Sequence, residues 1–325
     1  MRGRMRIARG RAGERGRMRI VRGRTGARVG FLIALVLGGV AARPAGAGPR
    51  LDMPRFEYAR FGFAADAMDA TAIFLNPAGL SGGPGTNLYA DISGSTDGIV
   101  EYVAALQGKG MGFAYRHREP QDAAGLPPGE LSVTDPGHLD TYMLAGGYGP
   151  PKLRVGLSAA WNKTDMAGED AFSWTAGFQS FLSESYAIGV TLENILNPAF
   201  LDGELRPRYT YGLAVHAVPG LLTLNIQGSH QDGDADLIRI LYGARVTIPA
   251  GWTFSAVLDD PPGSGPTFGL SVTWLFGKGA ASARGRSLDR NKEFRGQAAL
   301  QIFDQFWQQS TQKAKPPQLP APRRR

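Results

Sequence analysis

The strongest constraint on this chain is a train of segments, each about ten residues long, whose apolar residues recur at every second position. In one, Trp174, Ala176 and Phe178 alternate with Ser173, Thr175, Gly177 and Gln179; others run through 186–195 and 208–217. A period of two belongs to strands, and helical spacing leaves Ala176 and Gly177 without a role. Twelve such segments lie near 86–94, 98–106, 110–117, 139–148, 152–163, 172–181, 186–195, 208–217, 221–230, 236–247, 252–258 and 267–276. Their lengths match the ~9–11 residues of a tilted membrane-crossing strand.

The two faces differ consistently. Leu153, Val155, Leu157 and Trp161 share one face of their segment, and Arg154, Ser158 and Asn162 the other. Leu222, Leu224 and Ile226 stand opposite Thr223, Asn225 and Gln227. A soluble sandwich also alternates, so the links between segments carry the distinction. Links after the second, fourth, sixth, eighth and tenth segments are tight and those after the third, fifth, seventh, ninth and eleventh are longer and polar; the first link, 95–97, breaks the rule. An up-and-down barrel of the outer membrane has short turns at one rim and longer loops at the other. The expected fold class is therefore all-β, an antiparallel transmembrane barrel of 12 to 14 strands, with Leu157, Val190, Leu213, Leu224 and Leu270 toward lipid. Tyr142, Tyr148, Trp161, Trp174, Tyr209, Trp252 and Trp274 fall near strand ends, as girdle aromatics would.

Composition supports an exported protein. There is no cysteine, which excludes disulfides, thiolate metal sites and a lipid-anchored N-terminal cysteine. Charge is segregated: residues 1–47 carry +11, 48–283 carry −10 and 284–325 carry +7. The basic excess therefore lies on the two ends and not on a folded face, and nucleic acid is not an expected partner. Arg22, Arg24 and Arg28 precede the apolar stretch 29–42, and Ala45-Gly46-Ala47 follows it, the layout of a secretory signal peptide cleaved after Ala47. Two similar Arg-rich stretches open at Met5 and Met18, which makes Met18 a candidate start.

Before the first strand stands Asp69-Ala70-Thr71-Ala72-Ile73, then Asn76-Pro77-Ala78-Gly79-Leu80. Pro77 interrupts a helical ladder, Asn76 can bond its own backbone in an Asx turn, and Gly79 permits a left-handed turn. The stretch 61–80 resembles the N-terminal signature of the FadL and PorV/PorQ group of outer-membrane barrels. Met68, Phe74 and Leu75 stand where that group usually has Asp, Tyr and Trp. The resemblance implies a barrel, commonly of fourteen strands, whose N-terminal segment folds inward as a hatch. It also implies either passage of small hydrophobic molecules or, alternatively, a PorV-like scaffold or secretion-machinery role. The expected organisation is a leader (1–47), a hatch (48–84) carrying Asp69, Asn76, Pro77, Ala78, Gly79 and Leu80, a barrel (85–277), and a periplasmic extension (278–325). Two further strands would have to fall within 54–63 and 128–134.

The chemistry-bearing residues point away from an enzyme. His117, His138, His216 and His230 show no metal-ligand spacing, and no serine sits in a nucleophile elbow. No cofactor or metal is expected. Asp232, Asp234 and Asp236 could attract calcium but lack the closing Glu of an EF-hand loop, so a solvated hairpin tip is the plainer reading. Arg154, Glu193, His216, Arg239 and Arg245 fall on polar faces and are the candidate lumen residues. There they would pair with one another, meet the hatch, or line a substrate path.

The segment 267–276 has the look of an outer-membrane assembly signal, yet 49 residues follow it. In 287–312, Phe294, Ala298, Ile302, Phe303, Phe306 and Trp307 fit one helical face, and a Pro/Arg-rich tail follows. The expectation is a periplasmic helix outside the barrel, contacting a rim, a lipid leaflet or a periplasmic or secretion partner through 287–325. The expected location is the bacterial outer membrane, with both termini periplasmic and lipid and a hydrophobic ligand as partners.

Overall fold

The structure, a computed structural model, describes residues 61–83, 85–95, 98–119, 138–164, 170–196, 198–200, 203–232, 238–260, 266–287 and 294–303. Among the described residues, fourteen antiparallel strands close into one barrel. They are β1 (Asn87–Ser95), β2 (Gly98–Gly108), β3 (Met111–Arg118), β4 (Leu139–Tyr148), β5 (Leu153–Thr164), β6 (Ala171–Phe181) and β7 (Tyr186–Ile195). Then follow β8 (Arg208–Val218), β9 (Leu222–Gln231), β10 (Arg239–Ile248), β11 (Trp252–Asp260), β12 (Thr267–Phe276), β13 (Gly279–Ser287) and β14 (Phe294–Phe303). Each pairs with its chain neighbours, and β14 closes the ring on β1, with Asn87 opposite Phe303 and Gly94 opposite Gly296. A small ladder, Ala199–Phe200 with Gly203–Glu204, sits in the link between β7 and β8. The single closed sheet is not a sandwich, and no open edge is left to lipid.

The twelve strands expected from periodicity coincide with β1 to β12. Beyond them the sequence reading fails in three ways. The segment 279–303, assigned to a periplasmic extension, supplies β13 and β14, so the barrel runs to Phe303 and not to 277. The helix expected over 287–312 is a strand over Phe294–Phe303; residues 304–312 lie outside the described residues. And β12, which resembles a closing strand, is third from last. The physical reason is that a spacing of four keeps residues on one face in either geometry. Phe294, Ala298 and Ile302 satisfy a helix stripe and a strand face equally, and the second edge of β1 decides between them by demanding a hydrogen-bonded partner. The places proposed for the two extra strands are not used: 61–63 is turn and coil, and 54–60 and 128–134 lie outside the described residues. The leader, residues 1–47, lies there too.

Apart from the two-residue link 96–97 at the loop rim, short links at one rim and longer links at the other continue through β13 and β14, with 277–278 short and 288–293 longer. At the turn rim, Lys109 and Gly110 both have positive φ (49° and 82°), the two-residue geometry that suits the twist of paired strands. Both ends of the barrel, Asn87 and Phe303, lie at this turn rim.

Leu157, Leu213, Leu224 and Leu270 point outward and are exposed; Val190 shares the outward parity of β7 and is half-buried. With Leu88, Ile92, Leu106, Leu144, Leu300 and Ile302 they form a wall of exposed large apolar side chains. A water-facing surface does not sustain such a band, at ~25 cal/mol per Å², so this is a membrane-spanning exterior. At the loop rim the outward aromatics run from strand to strand: Tyr102 to Tyr115 (6.0 Å between ring centres), Tyr115 to Tyr142 (5.1 Å), Tyr142 to Trp161 (5.9 Å). At the turn rim Trp252 stacks on Trp274 (6.0 Å).

Candidate functional site: the hatch and the inner wall

Residues 61–83 lie inside the barrel. A one-turn helix α1 (Ala72–Leu75) is followed by a 3-10 turn over Pro77–Gly82, and Ala70, Ala72, Asn76, Ala78 and Leu80 are fully buried. Local sequence makes this shape. Asn76 is extended (φ −162°, ψ 101°), as a residue before proline should be, and its Oδ1 accepts from the Ala78 amide at 3.2 Å. Pro77 then sits at the start of the 3-10 turn, where its missing N–H costs nothing.

The Asn76 amide donates to Ala64 O at 2.8 Å within the hatch and to Phe178 O at 2.9 Å on β6. Asp69 accepts from the Thr71 amide (2.9 Å) and from Gln301 Nε2 on β14 (2.9 Å). Leu80 O accepts from Gln107 Nε2 on β2 at 3.1 Å. Gly79 lies so close to Ala67 O that an added Cβ would fall 1.9 Å from it. All six hatch-motif residues named from the sequence are thus in one packed unit.

Two sets of wall residues in this unit were not singled out from the sequence. The first is four glutamines. Besides Gln107 and Gln301, Gln179 donates to Ala65 O (2.8 Å) and Ala67 O (3.3 Å), and Gln227 accepts from the Ala64 amide (2.8 Å). The hatch has little regular secondary structure, so its backbone groups need side-chain partners once buried. The second set is glycines on the inward face. A Cβ would strike Ile73 at Gly112 (2.6 Å), Pro77 O at Gly147 (2.6 Å), the Pro77 carbonyl carbon at Gly156 (2.2 Å) and Asn76 Oδ1 at Gly177 (2.2 Å). It would likewise strike Ala64 O at Gly189 (2.2 Å), Phe63 at Gly243 (2.3 Å) and Phe61 at Gly269 (2.5 Å). Gly147, Gly156 and Gly177 are directly opposite one another across β4, β5 and β6. Without side chains there, the hatch backbone lies against the wall backbone. The sequence signal was a glycine near the middle of most polar faces, which reads equally as curvature.

The candidate lumen residues all point inward, in two groups. Arg154 and Arg245 meet the hatch. Arg154 is buried, bonds Gln179 Oε1 (3.2 Å), covers the Phe181 ring (4.7 Å), and packs where a Gly82 side chain would be. Arg245 pairs with Asp66 of the hatch at 3.1 Å. The others meet the wall. Glu193 pairs with Arg208 (3.3 Å), Arg239 grips Asp259 through two bonds (2.8 and 2.6 Å), and His216 contacts Thr223 Oγ1 (3.1 Å). Arg116–Glu101 (2.6 Å) joins the Glu193 and Arg239 pairs on the loop-rim half of the wall. The hatch therefore occupies the turn-rim half, below a wall of paired charges. Where the start of the hatch reaches toward those charges, its Phe61 and Phe63 form an apolar cluster with Leu241 and Val257 of the wall.

His117 and His138, 21 positions apart, are brought together with Glu119 at the loop rim, their ligand atoms within 4.8 Å of one another. Of the Asp232-to-Asp236 run only Asp232 is among the described residues.

No family model matches the sequence, and no curated protein matches it. Solved structures do. The Pseudomonas putida toluene transporter TodX matches at 12% identity over 78% of this chain and 98% of that one, with a TM-score of 0.51. A monoaromatic hydrocarbon channel, CymD, matches at 12% identity over 74% and 93%, with a TM-score of 0.48. A variant of the Rhodopseudomonas blastica porin matches at 10% identity over 67% and 98%, with a TM-score of 0.40. At these identities the likeness to TodX is one of fold: this chain is an outer-membrane-type β-barrel with the architecture of that transporter.

Proposed function

We propose that this protein is an outer-membrane channel closed by its own hatch, through which small hydrophobic molecules pass in the FadL manner. The observation that carries the reading is the hatch itself. A structural strut would need only the wall. Here a segment with little regular structure is threaded into the lumen and held by individually weak bonds, each worth ~0.5–1.5 kcal/mol net. Such a segment can be displaced without opening the barrel. The buried apolar cluster of Phe61 and Phe63 on the hatch with Leu241 and Val257 on the wall would become an apolar surface for an uncharged molecule once the hatch moves, and TodX, of the same fold, is a toluene transporter.

One observation favours the alternative, a PorV-like scaffold with a packed lumen: the hatch backbone rests on wall glycines with no room for a methyl group. One experiment separates the two. Purified protein is reconstituted into liposomes and the entry of a monoaromatic fluorophore is followed, beside a variant whose hatch is tied to the wall by a short, reducible cross-linker between cysteines at 66 and 245, the positions of a hatch–wall ion pair. The chain has no native cysteine to interfere. Passage predicts entry that the cross-link stops and a reductant restores; a scaffold predicts equal, background entry in both. In either reading the turn rim faces the periplasm with both termini, and partner contact would fall to 304–325, since β13 and β14 belong to the wall. A thiol reagent that cannot cross the outer membrane should fail to label a cysteine placed at 310 in whole cells.

A further inference from the structure

At the loop rim, outside the wall and away from the hatch, His117, Glu119 and His138 meet across the ends of β3 and β4. His117 stands directly opposite Asp140 in the ladder. Its Nδ1 lies 2.7 Å from Asp140 Oδ1, and its Nε2 lies 3.1 Å from Glu119 Oε1. The other oxygen of Glu119 is 2.8 Å from His138 Nδ1. Asp140 in turn accepts from the Tyr115 hydroxyl at 2.7 Å. The His117 ring is packed between Tyr102 (4.5 Å between ring centres) and His138 (5.8 Å), which fixes its plane.

The proton inventory of this cluster is informative. A carboxylate only accepts, so Asp140 requires a proton on Nδ1 of His117. The neutral ring then turns a lone pair at Glu119, another acceptor, at 3.1 Å. That contact is repulsive unless a second proton or a cation lies between the two atoms.

We propose that His117 Nε2, Glu119 and His138 Nδ1 bind a divalent transition metal of the zinc class, with Asp140 as a positioning residue that orients His117. Two imidazoles and one carboxylate are a donor set suited to zinc, with a fourth position open to water or a ligand. In a tetrahedral site with bonds of ~2.0 Å, neighbouring donor atoms lie ~3.3 Å apart. One ligand atom from each of the three residues lies within 4.8 Å of the other two, so modest side-chain rotation brings them to that spacing. The carboxylate–histidine pair with Asp140 is the arrangement that usually supports a metal-bound imidazole. The metal would tie the end of β3 to the start of β4.

The test uses the full-length protein, folded in detergent, purified without a histidine tag and stripped with a chelator. Zinc is titrated by calorimetry, and cobalt by its visible absorption. The expected result is one equivalent of metal, with visible bands typical of low coordination number. His138→Ala and Glu119→Gln should abolish the saturable binding. Asp140→Asn should keep the stoichiometry while weakening affinity by about 10- to 100-fold. His230→Ala, on β9 against Tyr209 and Tyr211, should change nothing. His138 is half-exposed, so its variant remains a folded test even if a change at His117 disturbs the barrel. Binding that survives His138→Ala and Glu119→Gln, which would place the metal elsewhere, or no saturable binding to the folded wild type, which would leave a hydrogen-bonded histidine cluster only, would overturn the proposal.

Discussion

Replacing Gly177 by alanine should unseat the hatch while leaving the barrel closed. The new Cβ would fall 2.2 Å from Asn76 Oδ1 and 2.8 Å from the Pro77 ring. Ordinary contact begins at 3.4 Å, so Asn76 must retreat by more than 1 Å. Its three bonds, at 2.8, 2.9 and 3.2 Å, do not survive such a shift together. Losing two of them at ~1 kcal/mol each, with a buried amide left partly unsatisfied, weakens seating by about 3 kcal/mol, roughly a hundredfold in the seated-to-unseated ratio. Planar-bilayer conductance reads this directly, and heat-modifiable gel mobility confirms the closed barrel. Gly156→Ala, which meets the Pro77 carbonyl carbon at 2.2 Å, should open the lumen at least as much, because backbone yields less than a side-chain tip. Gly296→Ala has nothing within 4 Å and should behave as wild type. If Gly177→Ala and Gly296→Ala gave equal conductance in folded protein, the wall glycines would not be seating the hatch.

On the outer face, arginine at Leu157, Leu224 or Leu270 should cost ~2–4 kcal/mol of folding stability in bilayers, whereas polar exchange at the inward neighbours Ser158 and Ser271 should cost far less; urea refolding into vesicles checks both. Within the wall, Arg239→Met alone should destabilise by about 3–5 kcal/mol because the buried Asp259 carboxylate loses the guanidinium that grips it, and the double variant Arg239→Met/Asp259→Leu should recover most of that loss in the same assay. At the hatch, Asp66→Asn should raise conductance only slightly, by a few-fold at most, because Arg245 on the other side of the pair is about one-third exposed and screened.

Strand phase, strand length and the alternation of short and long links belong to the chain as a linear object. Side chains alternate across any extended segment whatever it pairs with, so β1 to β12 and the outward leucines could be read from residue order. The same holds for the Asn76-Pro77 turn, whose geometry comes from neighbouring residues. The inward placement of Arg154, Glu193, Arg239 and Arg245 follows from that phase; their partners do not. Asp66 is 179 positions from Arg245, and only the folded hatch brings them together. β13 and β14 escaped notice for a related reason. Gly279–Ser287 is rich in small residues and carries little alternation, and Phe294–Phe303 fits a helix as well as a strand until the free edge of β1 selects the strand. The row Gly147, Gly156, Gly177 needs the registers of three strands at once, and His117, Glu119 and His138 meet only because β3 and β4 pair. Periodicity is a property of each strand, whereas register, closure and close approach depend on which strands are neighbours, and that is decided when Asn87 of the first strand finds Phe303 of the fourteenth.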